Sequence, residues 1–352
     1  MRVVSVVGAR PQFVKLAPIA REFQHRRIEH LVIHTGQHYD ARMSGGFFED
    51  FDLAEPDVNL EVGSGGHGAQ TGTMLKRIEP HLEELRPDWV LVYGDTNSTL
   101  AGTLASVKLE IPVAHLEAGL RSFNRSMPEE HNRVLTDHAA DLLLAPTQTA
   151  AQHLAREGLA DRTVVVGDVM VDICLAIADQ NPQSLRQVAK LADQEYVLAT
   201  LHRPYNTDNP ERLERIIAEF AASPIPVLLP SHPRLERCAS AAGTALTQGN
   251  LISCPPMRYT EMITALLRAR AVVTDSGGLQ KESYVLGIPC TTVRSETEWE
   301  ETLADGWNVL RFEPVNEIMA TALRPVPGGN RRPYFGDGDA AAQVATALVT
   351  FA

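Results

Sequence analysis

The chain has 352 residues, with 32 Lys and Arg against 44 Asp and Glu, a formal charge of −12 at pH 7. So acidic a balance excludes polyanions as partners, because nucleic acid and anionic lipid are repelled unless a local basic patch reverses the sign. The length predicts about two domains at roughly 150 residues each, and 44% hydrophobic with 22% charged residues marks a soluble globular chain.

In chain order, short apolar runs alternate with amphipathic stretches. The runs Val3–Val7, Leu31–Thr35, Trp89–Tyr93, Pro112–His115, Leu142–Ala145 and Val164–Val166 form a first series. Val197–Leu201, Pro226–Leu229, Leu251–Ser253, Ala271–Thr274 and Thr291–Val293 form a second. Near-continuous apolar strands separated by helical patterns predict parallel sheets covered on both faces. The first helix is read from Phe13, Leu16, Ala17, Ile19, Ala20 and Phe23, with Pro11 in its opening turn. Asn209-Pro210-Glu211 opens a corresponding helix in the second series, carrying Leu213, Ile216, Ile217 and Phe220.

The expected architecture is two doubly wound, Rossmann-like α/β domains facing a cleft. The boundary is placed near Gly167–Asn181, with Asn181-Pro182-Gln183-Ser184 as a linker or turn, and an Ala-rich helix begins near Ala340. The domains are then residues 1–168 with 339–352, and residues 169–338. Cys174, Cys238, Cys254 and Cys290 are scattered without a C-x-x-C pair, which argues against a disulfide framework and for a reducing cytoplasm. No run approaches the ~18 apolar residues of a membrane span.

Most strands end in polar residues that a core cannot use, and ligands of open α/β sheets bind beyond strand carboxyl ends. Arg10 and Lys15 flank the first turn of the opening helix, where cations oppose the dipole unless an anion is held there. Ser276-Gly277-Gly278 follows a strand and opens a helix, so backbone N–H groups and a hydroxyl can approach a phosphate; an N-cap with tight-turn glycines is the competing explanation. Glu282, one turn on, suits ribose hydroxyls or solvent. Asp95 and Glu117 stand at strand ends, and Glu129 and Glu130 follow a Met-Pro turn. Asp95 and Glu129 have helix-capping or dipole explanations, whereas Ala118-Gly119 offers Glu117 no helix to cap. Carboxylates sharing a cleft can divide acid and base roles. His202 and His232 are candidate diphosphate contacts or proton donors.

Two glycine-rich readings are rejected. Gly63-Ser64-Gly65-Gly66-His67-Gly68 lacks the Gly-Lys-Ser/Thr ending of a triphosphate loop and reads as a turn before a Gln70–Leu85 helix. Gly8 stands alone after the first strand, without the G-x-G-x-x-G of NAD binders. No His/Cys/Asp spacing suggests a metal site, and no cofactor is expected.

Taken together, Gly8-Ala9-Arg10-Pro11-Gln12-Phe13-Val14-Lys15, Gly94-Asp95-Thr96-Asn97-Ser98-Thr99, Glu117-Ala118-Gly119-Leu120-Arg121, Met127-Pro128-Glu129-Glu130-His131-Asn132-Arg133, Thr274-Asp275-Ser276-Gly277-Gly278-Leu279-Gln280-Lys281-Glu282 and Tyr334-Phe335-Gly336-Asp337-Gly338 resemble the non-hydrolysing UDP-N-acetylglucosamine 2-epimerases over essentially the whole chain. The resemblance implies a fold like that of the GT-B glycosyltransferases, with the last helix returning to the first domain. It implies C2 epimerisation of UDP-GlcNAc to UDP-ManNAc through a 2-acetamidoglucal, by a cytoplasmic homodimer serving polysaccharide synthesis. Asp95, Glu117 and Glu129 become the acid/base set, joined by His202. Arg10, Lys15, Arg133, His232, Ser276, Gly277, Gly278, Glu282 and Arg294 become substrate contacts.

Three positions depart from many relatives: Gln12 replaces Glu, Trp299 replaces an Arg after Glu298, and His202-Arg203-Pro204-Tyr205 lacks a second Arg. Ala41-Arg42-Met43-Ser44 also stands where relatives carry a Gln-containing helix. The Gln12 and Trp299 forms occur in a branch acting on a UDP-2,3-diacetamido uronic acid sugar, which is the alternative substrate. A retaining UDP-sugar glycosyltransferase, a hydrolysing epimerase and a non-catalytic nucleotide-sugar sensor are the other readings.

Overall fold

The computed structural model describes all residues except 38–52, 181–190, 192–194 and 329–330, and leaves out the side chains of Arg10 and Asp305. The linker Asn181-Pro182-Gln183-Ser184 and the stretch Ala41-Arg42-Met43-Ser44 lie outside the described residues. The chain divides into two compact units, Met1–Ile173 with Tyr334–Ala352, and Cys174–Pro333.

The first unit runs β1 (Arg2–Val7), α1 (Arg10–Arg26), β2 (Glu29–His34), β3 (Val58–Asn59), α2 (His67–Leu85), β4 (Trp89–Tyr93) and α3 (Asn97–Lys108). It continues through β5 (Val113–Leu116), α4 (Pro128–Ala139), β6 (Leu142–Ala145), α5 (Gln148–Arg156), β7 (Thr163–Val165) and α6 (Val169–Asp179), within which the division falls. Its seven strands are ordered β3-β2-β1-β4-β5-β6-β7, and all its strand pairs are parallel. The sequence reversal between β1 and β4 is a topological switch point, where neighbouring connections leave to opposite faces and open a crevice. Strands β4 and β6 are buried along their whole length because helices cover both faces, which explains their unbroken apolar sequence.

The second unit runs β8 (Val197–Thr200), α7 (Pro204–Thr207), α8 (Pro210–Ala221), β9 (Val227–Pro230), α9 (Pro233–Ala242), β10 (Leu251–Cys254) and α10 (Tyr259–Arg268). Strand β11 (Ala271–Thr274), helix α11 (Gly277–Leu286), β12 (Cys290–Thr292), β13 (Asn308–Leu310) and α12 (Ile318–Ala322) complete it. Its six strands are ordered β10-β9-β8-β11-β12-β13, with the switch point between β8 and β11. Leu213, Ile216, Ile217 and Phe220, one stripe of α8, are buried against Val197, Ala199, Val227 and Leu229 in one core cluster.

The last helix, α13 (Ala340–Thr350), belongs to the first unit and packs on α1. Arg26 donates to the Thr346 hydroxyl at 2.9 Å and to the Ala342 carbonyl at 3.1 Å. Asp172 accepts from the amides of Ala340 and Ala341 at 3.1 and 2.8 Å, which otherwise lack intrahelical acceptors.

The predicted runs match strands to within about two residues, apart from two omissions. Strands β3 and β13, at the sheet edges, have two and three residues and no apolar run of their own. The glycine-rich turn is also shorter than expected. Helix α2 begins at His67, with Gly66 as its N-cap, so His67 and Gly68 are helical.

Candidate active site

At the first switch point the ends of β1 and β4 meet the turn after β5. Gln12, buried in the first turn of α1, ties them together. Its carbonyl oxygen accepts from the amides of Gly8 and Ala9 at 2.8 and 2.9 Å, and its NH2 donates to the Tyr93 carbonyl at 2.8 Å. One turn further along α1, the Lys15 ammonium forms an ion pair with Glu117. Both side chains are largely shielded, 11% and 12% exposed, so water weakens this attraction less than at an open surface.

Gly94 lies directly beneath that pair. Its φ of +64° is in the left-handed region, and a Cβ there would come within 3.2 Å of Glu117 Oε2 and 3.3 Å of Lys15 Nζ. Beside it, Asp95 receives the Arg133 guanidinium at 2.5 Å, and Asn132 donates to the Asp95 carbonyl at 2.9 Å. Asp95 does not cap the following helix. Thr96 is that N-cap, its hydroxyl accepting from the Thr99 amide at 3.3 Å.

The paired glutamates at the start of α4 have different environments. Glu130 is buried and accepts from the amides of Ser122 and Phe123 and the Ser122 hydroxyl, each at 2.9 Å, and from Arg133 at 3.1 Å. Burial opposes its ionisation, but these donors outweigh it and hold the carboxyl below the usual glutamate value. Glu129 is half-buried and forms no hydrogen bond or ion pair among the described residues.

At the second switch point Asp275, fully buried after β11, organises the end of β8. It accepts from the amides of His202 and Arg203 and from the Asn206 NH2 at 2.9–3.1 Å, and pairs with His202 Nδ1 at 3.0 Å. Burial works against the carboxylate, but His202 and these donors keep its pKa below the ordinary aspartate value. His232 caps α9, accepting from the Arg234 amide at 3.1 Å, and its ring lies 5.6 Å from that of His202.

The Ser276-Gly277-Gly278 turn is the N-terminus of α11. Ser276 occupies the N-cap position, yet its hydroxyl makes no cap bond, so the capping explanation for this residue does not hold. A Cβ on Gly277 would lie 2.6 Å from Glu298 Oε1 and 3.3 Å from Trp299 Nε1. Arg294 approaches Glu298 at 2.8 Å as an ion pair whose N–H does not point at the oxygen. Trp299 is buried, and the Lys281 ammonium sits 3.8 Å from its ring centre. Glu282 is buried rather than solvated, with Oε1 3.9 Å from a Cβ built on Gly278.

The predicted residues therefore fall into two groups. Lys15, Asp95, Glu117 and Arg133 come together in the first unit, with Glu129 on the same helix as Arg133. His202 with His232, and Ser276, Gly277, Gly278, Glu282 and Arg294, lie around the β8 and β11 ends of the second. Arg10 opens α1, and its side chain lies outside the described residues. Sequence reasoning passed over Asp275 as a functional residue, although it sits one residue before Ser276. It also passed over His115 and Asp137, which look like strand and helix interior.

A sequence model of the family described as UDP-N-acetylglucosamine 2-epimerase matches residues 21–349. The chain belongs to this family. Its members are epimerases, and the chain is an isomerase of that kind. It is 44% identical to a UDP-N-acetylglucosamine 2-epimerase homolog of Methanococcus maripaludis over 99% of each chain. It is 42% identical to the UDP-2,3-diacetamido-2,3-dideoxy-D-glucuronate 2-epimerase of Pseudomonas aeruginosa, again over 99% of each. The solved UDP-GlcNAc 2-epimerase of Methanocaldococcus jannaschii, in complex with UDP-GlcNAc and UDP, superposes with a TM-score of 0.89 at 37% identity, covering 100% of both chains. The paired Rossmann-like sheets are thus those of the epimerase family, whose fold is GT-B-like. No helix among the described residues is long and apolar enough to cross a membrane.

Proposed function

We propose that the protein interconverts UDP-GlcNAc and UDP-ManNAc by inverting C2 of the sugar. The observation that carries this reading is the pair of cation-supported carboxylates, Lys15–Glu117 and Arg133–Asp95, at one switch point. The C2 proton of the sugar is not next to a carbonyl, so its removal alone would leave an unstabilised carbanion. If a carboxylate takes that proton while the C1–O bond breaks, the C2–H electron pair becomes a C1=C2 bond and UDP leaves with the C–O electrons. The product pair is UDP and neutral 2-acetamidoglucal. Re-addition of UDP at C1, with a proton delivered to the opposite face of C2, completes the inversion.

In this division of labour the first unit supplies acid and base from Asp95, Glu117 and Glu129. The second unit holds UDP. Its α11 N-terminus, Ser276, Gly277 and Gly278, suits phosphate oxygens, and His202 and His232 add imidazole donors. Glu282 suits ribose hydroxyls. Arg10, Lys15, Arg133 and Arg294 balance the diphosphate. A cytoplasmic homodimer feeding UDP-ManNAc to polysaccharide synthesis is consistent with the family resemblance and with four cysteines that are all free.

The Pseudomonas relative, 42% identical, favours a second substrate, the UDP-2,3-diacetamido uronic acid sugar. Both are tested by incubating the protein with each sugar in D₂O and following C2 by NMR. UDP-ManNAc carrying deuterium at C2 is the expected product. Free ManNAc would indicate hydrolysis. Inertness towards UDP-GlcNAc with turnover of the uronate would move the assignment to the second sugar.

A further inference from the structure

Glu117 has an unusual backbone for a residue with a side chain. Its φ is +72°, in the left-handed region where a Cβ is strained, and such a conformation persists only when its surroundings enforce it. The enforcing groups lie two residues away on either side, and they converge on Asp137 of α4.

On one side stands His115, fully buried in β5. Its Nδ1 lies 2.6 Å from Asp137 Oδ1, and its Nε2 lies 2.7 Å from the Gly94 carbonyl. On the other side, the Gly119 amide donates to Asp137 Oδ2 at 3.1 Å. Gly119 is held tightly there, since a Cβ on it would meet the Ala150 carbonyl oxygen at 2.4 Å. Arg121 closes the hub, donating to Asp137 Oδ2 at 2.7 Å and to both Glu157 oxygens at 2.8 Å.

Burial opposes the charge on Asp137, but His115 and Arg121 outweigh it and hold the carboxyl below its usual value. Asp137 and the Gly94 carbonyl thus each present an oxygen to one ring nitrogen of His115. The buried imidazole thereby links the Glu117 turn to the Gly94 turn beneath the Lys15–Glu117 pair.

We propose that His115 and Asp137 are positioning residues, which clamp the turns on either side of Glu117 so that its carboxylate meets Lys15 and the substrate in one fixed place. This rests on the reading of Glu117 as an acid/base group.

The test uses the full chain with UDP-GlcNAc. His115→Phe removes both ring-nitrogen contacts while keeping a ring, and is expected to lower kcat about 10–100-fold with KM within about twofold, as for misplacement by a fraction of an ångström. His115→Gln, whose amide can still donate to the Gly94 carbonyl, is expected to recover part of that loss. In a Glu117→Gln background His115→Phe is expected to cost less than about twofold, because the clamp then has nothing to position. Wild-type turnover by folded His115→Phe, or an equal loss in both backgrounds, overturns the proposal. If His115→Phe does not fold, His115→Gln decides by the same comparison: a kcat loss with KM kept is expected in the wild-type background and less than about twofold in the Glu117→Gln background, and an equal loss in both overturns the proposal. Should Glu117→Gln itself keep full turnover, the acid/base reading has failed rather than the clamp.

Discussion

The two units share a strand order around their switch points but place different chemistry there. In the first, β4 and β5 end in carboxylates braced by cations, Arg133–Asp95 and Lys15–Glu117, over a buried polar hub. In the second, β8 and β9 end in imidazoles, His202 and His232, and β11 in a glycine-lined helix start, with a fully buried carboxylate, Asp275, turned inward to hold the loop. The parallel sheet supplies the same crevice twice. What differs is whether the loop residues present groups that can exchange protons or groups that donate hydrogen bonds to an anion. Fold therefore fixes where chemistry occurs, and loop residues fix which chemistry it is.

This contrast breaks most sharply at the carboxylates. Glu117→Gln and Asp95→Asn are each expected to lower kcat by roughly 10²–10⁴-fold while UDP binding, measured by calorimetry, stays near wild type. A variant that loses UDP affinity and turnover together would erase the division between the units.

The next largest effect is expected at Gly94. Ala there adds about 1–2 kcal/mol of left-handed strain and a methyl pressed against both Lys15 and Glu117. Gly94→Ala should lose both melting temperature and turnover, and unchanged turnover would show that the ion pair tolerates displacement. Gly277→Ala carries the matching test in the second unit. Its new Cβ would press on Glu298 where phosphate is proposed to bind. UDP Kd should rise about tenfold, ~1.4 kcal/mol, with kcat at saturation within about twofold; unaltered Kd would remove this helix start from the site.

The smallest effect concerns the returning helix. Burial, with help from Asp168 and Asp339, raises the Asp172 pKa from 3.8 to about 6, although the Ala340 and Ala341 amides oppose the shift. Between about pH 6 and 4 the folded chain then holds more protons at this site than the unfolded one. The linkage sign makes this contribution grow as pH falls through that window and shrink as pH rises. Asp172→Asn cannot titrate, so melting temperatures of wild type should gain on the variant from pH 7 to pH 4.5. Parallel curves would separate the α13 cap from this titration.

Much of this organisation was legible in the residues. Buried parallel strands need continuous apolar runs, so Val3–Val7 or Ala271–Thr274 could be read directly. The chemistry-bearing loops were legible for the opposite reason, because Gly94-Asp95 or Ser276-Gly277-Gly278 interrupts those runs with residues a core does not use. Strands β3 and β13 escaped because a two- or three-residue edge strand needs only one neighbour and carries little apolar pattern.

Glu129 and Glu130 mark another limit. Adjacent in sequence, they share the same dipole argument, yet Ser122, Phe123 and Arg133 converge on Glu130 alone. Asp137 was hidden altogether, since an aspartate inside a helix has no distinctive local signature, and His115 was legible only as the polar end of an apolar run, with no role assigned to it.

By itself the sequence determined the alternation of strands and helices, the polar strand ends and the residue types available at them. Those follow from local periodicity and from the incompatibility of charged groups with a core. Only the tertiary structure decided which strand ends became neighbours at a switch point, that Lys15 found Glu117 across 102 residues, and that Asp137 joined both sides of the Glu117 turn. Such pairings depend on strand order and helix packing, and no local pattern encodes a contact between segments that meet only once the sheet has formed.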